Sequence, residues 1–242
     1  GSYSQIVVRR TAAPSARTPR PRGIPRPVDC RDSVLECARS APLWYSRQRL
    51  SFFFSLFLFA FTLHAGEAKR IVILGDSIAT GYGLDPEESY PALLQKKIEA
   101  AKLPYTVVNA GLSGDTTAGG LRRLDWLLKQ PVDILVLELG GNDGLRGIPI
   151  SETRTNLQTI IDRALKKYPG AKILIAGMKM PANMGPQYTT DFEKVFPDIA
   201  KKNNLPLVPF LLENVAAKPE LNQGDRIHPT AEGQKKIGRA HV

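Results

Sequence analysis

The segment Gly75-Asp76-Ser77-Ile78 follows the apolar run Ile71-Val72-Ile73-Leu74, so Ser77 falls where a strand turns towards a helix. A hydroxyl at such a turn faces the cleft beyond the strand, and the Ser77 N–H can face an oxyanion developing on a bound carbonyl. Asp76 can accept from neighbouring backbone N–H groups and hold the turn. Alone, Gly-Asp-Ser is more often a turn in which Asp and Ser serve as caps.

Three further segments carry complementary groups. Asn109-Ala110-Gly111-Leu112-Ser113-Gly114-Asp115-Thr116 follows a second apolar run, and a glycine lets backbone approach a substrate closely, which makes the Gly114 N–H a candidate donor. The same segment reads equally well as a glycine-rich turn; the absence of a following Gly-Lys-Ser/Thr disfavours a phosphate cradle. Gly140-Gly141-Asn142-Asp143-Gly144 follows Leu135-Val136-Leu137-Glu138-Leu139, and the Asn142 amide there can offer an N–H to an oxyanion. In other enzymes such a donor contributes roughly 3 to 4 kcal/mol. In Asp225-Arg226-Ile227-His228-Pro229, imidazole suits a general base at neutral pH, and a carboxylate three residues earlier can fix its tautomer. Taken singly, His228 would be a structural histidine ahead of a helix that has Pro229 near its start. Of the three histidines, His64 lies in an apolar leader and His241 in the last residues, which leaves His228 for this work. Nucleophile, oxyanion donors and a His/Asp pair in one chain, each at the end of a strand, form a complete acyl-transfer set.

The elements that must position this set alternate. Arg70 to Leu74, Tyr105 to Asn109, Asp133 to Leu139, Lys172 to Gly177 and Pro206 to Phe210 read as five strands, nearly all apolar as buried parallel strands are. Between them lie helical stretches at Tyr90 to Ala101, Thr117 to Lys129, Glu152 to Lys167 and Asp191 to Asn203, with a last one beginning near Pro229. Ser151 is a candidate N-cap for the third of these, without a capping box because Arg154 stands where its acid would be. Repeated strand then helix predicts an α/β fold, a parallel sheet covered on both faces in a three-layer α/β/α sandwich. Ligands in such sheets bind beyond the carboxyl ends of the strands, at the point where strand order reverses.

The net charge of +10 divides unevenly along the 242 residues. Residues 1–68 hold 10 Arg against 4 acids, and residues 69–242 hold 23 Lys and Arg against 19 acids, leaving +6 and +4. The excess in the second part forms no basic block with interleaved aromatics, so no nucleic-acid partner is expected. Both cysteines, Cys30 and Cys37, fall in the first part, so the rest has no thiol to rival Ser77 or bind a metal. Residues 1–50 are rich in Arg, Pro and Ser and are expected to be disordered, either upstream of the true start or translated in frame from upstream sequence. Residues 51–68 follow Arg47-Gln48-Arg49, carry an apolar run from Phe52 to Leu63, and end Gly66-Glu67-Ala68. That pattern predicts a secretory signal peptide cleaved before Lys69, too short for a membrane span and followed by a domain over 69–242, with an uncleaved anchor or a buried core helix as the alternatives. Ile237-Gly238-Arg239-Ala240-His241-Val242 resembles translated adapter sequence, so the final helix is expected to be cut short, at some cost in stability.

From about Arg70 to Lys236 the chain resembles the SGNH (GDSL) hydrolases, whose four signature residues would be Ser77, Gly114, Asn142 and His228. Gly75-Asp76-Ser77, Ser113-Gly114-Asp115-Thr116, Leu139 to Gly147, Pro181-Ala182-Asn183 and Ile227-His228-Pro229 look closest to the periplasmic acyl-CoA thioesterase I, lysophospholipase and arylesterase branch. Ile78 departs conservatively from the family's usual Leu. The resemblance implies a flavodoxin-like five-stranded sheet and a periplasmic or secreted monomeric serine esterase acting on small-molecule acyl esters or thioesters. It implies no metal or organic cofactor. In that branch the segments Gly144 to Pro149 and Met180 to Gly185 flank the acyl groove, which makes Leu145, Ile148, Met180 and Met184 the expected contacts of an apolar chain. Two alternatives remain open at this level: a carbohydrate O-acetylesterase using the same set, and a non-catalytic flavodoxin-like binding protein.

Overall fold

The computed structural model describes residues 68–237, so all but the last residue of the leader expected at 51–68, the segment before it and the last five residues lie outside the described residues. Five parallel strands, β1 (Lys69–Gly75), β2 (Tyr105–Gly111), β3 (Ile134–Glu138), β4 (Lys172–Ala176) and β5 (Leu207–Val208), lie in the order β2-β1-β3-β4-β5. Parallel strands need crossovers, and helices supply them. The helices are α1 (Ser77–Thr80), α2 (Tyr90–Ala100), α3 (Thr117–Leu127), α4 (Gly141–Leu145), α5 (Ile150–Lys167), α6 (Pro186–Glu193), α7 (Val195–Asn203) and α8 (Ala231–Ile237). In one layer α5 packs against α3 and α7, and in the other α8 packs against α2. This is the three-layer α/β/α architecture expected from the alternation of elements.

Burial follows the sequence pattern. β1 and β3 occupy the middle of the sheet, and Ile73, Leu74, Leu135 and Leu137 are fully buried because both faces are covered by helices. On α5 the buried residues Thr153, Leu157, Ile160, Ile161 and Ala164 recur at helical spacing and make the stripe that meets the sheet.

Strand and helix ends shift by a residue or two in several places, and three departures from expectation have a clear local cause. β5 spans two residues rather than five because Pro206 and Pro209 flank it and neither has an N–H for the ladder. The single helix expected at Asp191 to Asn203 is instead α6, which begins at Pro186, and α7; Pro197 lacks the N–H that would bond to the Glu193 carbonyl and carry one helix through. Finally, α5 begins at Ile150 with Pro149 as its cap and no side-chain cap bond, so Ser151 is not the N-cap. The Pro149 carbonyl takes the first N–H groups, from Glu152 at 2.9 Å and Thr153 at 3.2 Å, which moves the start of the helix ahead of the serine.

At the exit of β4, Gly177 N–H donates to the Val208 carbonyl at 2.8 Å, and its own carbonyl accepts from Leu211 N–H at 2.8 Å. A Cβ there would stand 2.4 Å from the Pro209 oxygen and 3.0 Å from the Val208 oxygen, both backbone atoms with no rotamer to yield. Gly177→Ala is therefore expected to destabilise the domain by about 1–3 kcal/mol, an overpacking cost read as a lowered thermal midpoint against wild type.

Candidate active site

Parallel pairing places Gly75 beside Gly111 on one side and Glu138 on the other, so three strand ends share one level. The chain leaves β1 for β2 on one side and returns to β3 on the other, which makes β1 the point where strand order reverses. Asp76 and Ser77 leave β1 at this point, and Asn142 follows β3 in the first turn of the short helix α4 rather than in an open loop.

Ser77 begins α1 and is 9% exposed. Its Oγ lies 2.9 Å from His228 Nε2, and His228 Nδ1 lies 2.6 Å from Asp225 Oδ2. These three residues, expected from sequence alone, are thus brought together across 151 residues of chain. The Asp225 Oδ1 accepts the N–H groups of Ile227 and His228 at 2.9 and 3.0 Å, and Arg226 turns with a φ of 60°, which folds carboxylate and imidazole face to face. The His228 hydrogen bond and these two backbone donors hold the Asp225 carboxyl down at about 2. With the carboxylate ionised and bonded to Nδ1, Nε2 is the nitrogen left to accept from Ser77.

The donor side is built around Asp76, whose Oδ1 accepts from Ile78 N–H at 2.9 Å as the N-cap of α1. Asn142 Nδ2 donates to Asp76 Oδ2 at 3.2 Å and to the Asp115 carbonyl at 2.9 Å, so its amide is held between the first and second loops. Gly114 has a φ of 76°, a conformation natural to glycine, and its carbonyl accepts from Arg146 at 2.7 Å. A contact of 3.0 Å between the Thr80 and Ser113 hydroxyls ties the same loop to α1.

Several supporting residues have no signature in the sequence. Arg123 spreads its guanidinium over Asp115 at 2.7 Å, the Ala110 carbonyl at 2.6 Å and the Gly75 carbonyl at 3.0 Å, clamping the ends of β1 and β2 to the Gly114 loop. Gln234 of α8 donates to the Ile78 carbonyl at 3.0 Å and accepts Tyr90 N–H at 2.9 Å, so the last helix holds the serine turn from beneath. Gln223 donates to the Tyr82 and Pro229 carbonyls at 2.7 and 3.0 Å, and the Tyr82 ring lies 4.4 Å from the His228 ring. In the sequence, a helix-borne Arg or a loop Gln looks like any solvent-facing side chain, and only the tertiary contacts give it a role.

Beside Ser77 and His228 opens a groove of about 830 Å³. Its apolar wall includes Ile78, Leu145, Met178, Met180, Phe210 and Leu212. Leu145 and Met180 are therefore where sequence reading expected them, while Met178, Phe210 and Leu212 escaped it. Ile148 and Met184 do not line the groove. Ile148 is tied back by its N–H to the Asp143 carbonyl at 3.0 Å and by its carbonyl to the Tyr188 hydroxyl at 3.1 Å, and Met184 packs against the core. Both anchor the flanking loops rather than line the groove.

A model of the GDSL-like lipase/acylhydrolase family matches residues 73–236. The chain is 41% identical over 171 residues to the esterase TesA of Pseudomonas aeruginosa, covering 70% of this chain and 84% of that protein. It is 42% identical over 184 residues to the thioesterase 1/protease 1/lysophospholipase L1 of Escherichia coli, covering 75% of this chain and 86% of that protein. The crystal structure of the psychrotrophic esterase EstA from Pseudoalteromonas, inhibited by monoethylphosphonate, superposes with a TM-score of 0.68 at 36% identity, over 72% of this chain and 94% of that one.

The depressed Asp225 carboxyl sets a pH dependence of known sign. Its folded value of about 2 lies below the ordinary 3.8, so the bonds it accepts add stability above the ordinary value and cease to do so as pH falls through about 2. The urea midpoint of wild type should exceed that of Asp225→Asn at pH 4 and above, and the gap should close as pH approaches 2.

Proposed function

The chain belongs to the GDSL-like lipase/acylhydrolase family and is an ester-hydrolysing enzyme, and we propose that Ser77, His228 and Asp225 carry its chemistry. In this reading His228 Nε2 takes the Ser77 proton as Oγ attacks the acyl carbon of an ester or thioester. The new C–O bond pushes the carbonyl electrons onto oxygen, and that oxyanion is met by the N–H groups of Ser77 and Gly114 and by the Asn142 amide. Collapse expels the alcohol or thiol, which leaves with the proton from His228. Water then attacks the acyl-serine with His228 again as base, freeing the acid and Ser77. Asn142 enters with its amide already engaged, and its 3.2 Å bond to Asp76, longer than the 2.9 Å bond to Asp115, is the one to be exchanged for the oxyanion.

The observation that carries the assignment is the unbroken relay Asp225–His228–Ser77, at 2.6 and 2.9 Å, opening on an apolar groove. The groove also bears on substrate. An acetyl group has no use for a wall of Met178, Met180, Phe210 and Leu212, so the wall supports substrates with an extended apolar acyl chain over a carbohydrate O-acetyl ester. The relatives named for esterase, thioesterase and lysophospholipase activity are consistent with such a range. Among the described residues no helix is long and apolar enough to cross a membrane. Our reading retains residues 51–68 as the export signal and the periplasm or exterior as the working compartment of a monomer.

Two measurements test this. Ser77→Ala should abolish hydrolysis of p-nitrophenyl acyl esters and labelling by a fluorophosphonate probe while leaving the circular dichroism spectrum unchanged; retained turnover or labelling would remove Ser77 from its role. In a chain-length series, kcat/KM should rise from acetate to octanoate, by several-fold or more as each buried methylene adds about 0.8 kcal/mol. A preference for acetate would turn the assignment towards an O-acetylesterase.

A further inference from the structure

Directly beneath the serine turn lies a buried acid that the proposed reaction does not use. Glu138 ends β3 and is 0% exposed, while Asp76, across from it, is 2% exposed. Glu138 Oε2 accepts Asp76 N–H at 3.2 Å. The two buried acids thus lie side by side, and Glu138 Oε1 has no partner among the described residues. Room for this arrangement exists because residue 75 is glycine, since a Cβ there would lie 2.1 Å from Oε2.

Two carboxyl groups side by side and away from water cannot both stay charged, so one of them keeps a proton. Its location follows from the partners of each acid. Burial pushes the Asp76 carboxyl up as well, but Asp76 accepts from Ile78 N–H and from the Asn142 amide and its charge is favoured by His228, while Asp115 opposes it. Glu138 is surrounded by the core, with Asp76 on the β1–α1 turn and Tyr90 on α2 as the titratable groups facing it. Burial and the neighbouring Asp76 push the Glu138 carboxyl well above its usual range.

We propose that Glu138 is a positioning residue of the catalytic turn, holding a proton that it donates to Asp76 and so fixing Asp76 as the acceptor that aims the Asn142 amide and the Ser77 turn. The wiring runs from the sheet core, through one shared proton, to the donors that would meet the oxyanion. This rests on Ser77 being the nucleophile.

The sign of the resulting pH dependence follows from linkage. Glu138 in the folded protein keeps a proton that the unfolded chain releases above about 4.5, so its contribution to stability is full below that value and is lost as pH rises through the folded one. The substitution Glu138→Gln retains an N–H donor towards Asp76 but has nothing to ionise. Glu138→Leu keeps the volume and removes the donor.

The test measures kcat and KM of wild type, E138Q and E138L on one p-nitrophenyl ester, with active sites counted by fluorophosphonate labelling. We expect E138L to lower kcat by about ten- to a hundredfold with KM nearly unchanged, and E138Q to recover most of that loss. The thermal midpoint of E138Q relative to wild type should rise steadily as pH is raised from about 5 to 9. A folded E138L with wild-type kcat, or an E138Q as impaired as E138L, overturns the proposal. Should E138L fail to fold, the pH profile decides: an alkaline fall in wild-type kcat that E138Q lacks supports the proposal, and identical profiles overturn it. Failure of the underlying Ser77 assignment would show separately, as wild-type enzyme that turns over without being labelled.

Discussion

The parallel pairing of β1 with both β2 and β3 determines where every functional group of this molecule can sit. Because Gly75, Gly111 and Glu138 end their strands at one level, the three chain segments that follow must diverge from a single point. The helices cover the faces of the sheet, so the space left for a ligand is the crevice beyond the strand ends. Ser77 and Asn142 enter that crevice because their strands are neighbours, and His228 reaches it from the approach to α8.

Holding those groups still is the work of a polar layer between the core and the crevice. Arg123 joins β1, β2 and Asp115, and the fully buried Asp143 accepts from the backbone N–H and hydroxyl of Thr117, with Thr153 at 3.4 Å. Gln234 ties α8 to the serine turn and to α2. Each buried donor or acceptor is costly to leave unpaired, so together they restrict the loops to one arrangement. Asp76 belongs to both this layer and the crevice, which is why one acid beneath it can influence groups that face the substrate. Apolar packing alone would give a stable sheet with loosely aimed loops.

Much of this was legible before any coordinates. The strand and helix alternation follows from β-branched runs and helical periodicity, and the proposed triad and donors were picked out by the few residue types able to perform acyl transfer. What escaped is physically consistent. Pro197 and Pro209 shortened elements by withholding single N–H groups, an effect easily overlooked in an otherwise periodic stretch. Ile148 and Met184 were assigned to the groove by their position in its flanking segments, yet backbone bonds and core packing turn them elsewhere. Met178, Phe210 and Leu212 line the groove because β4 and β5 deliver their following loops to the same place, and nothing in their local sequence marks that convergence.

By itself, then, the amino-acid sequence determined which chemistry the chain can perform and the order of elements that carries it, since residue type sets nucleophilicity and basicity, and periodicity sets secondary structure. Tertiary structure alone decided the distances, the direction of the groove wall and the company of the buried acids. Contact between Ser77 and His228 depends on strand order and loop closure, and burial beside Asp76 pushes the Glu138 carboxyl up. These are properties of groups far apart in the chain, and they come into being only when the sheet brings its strand ends together.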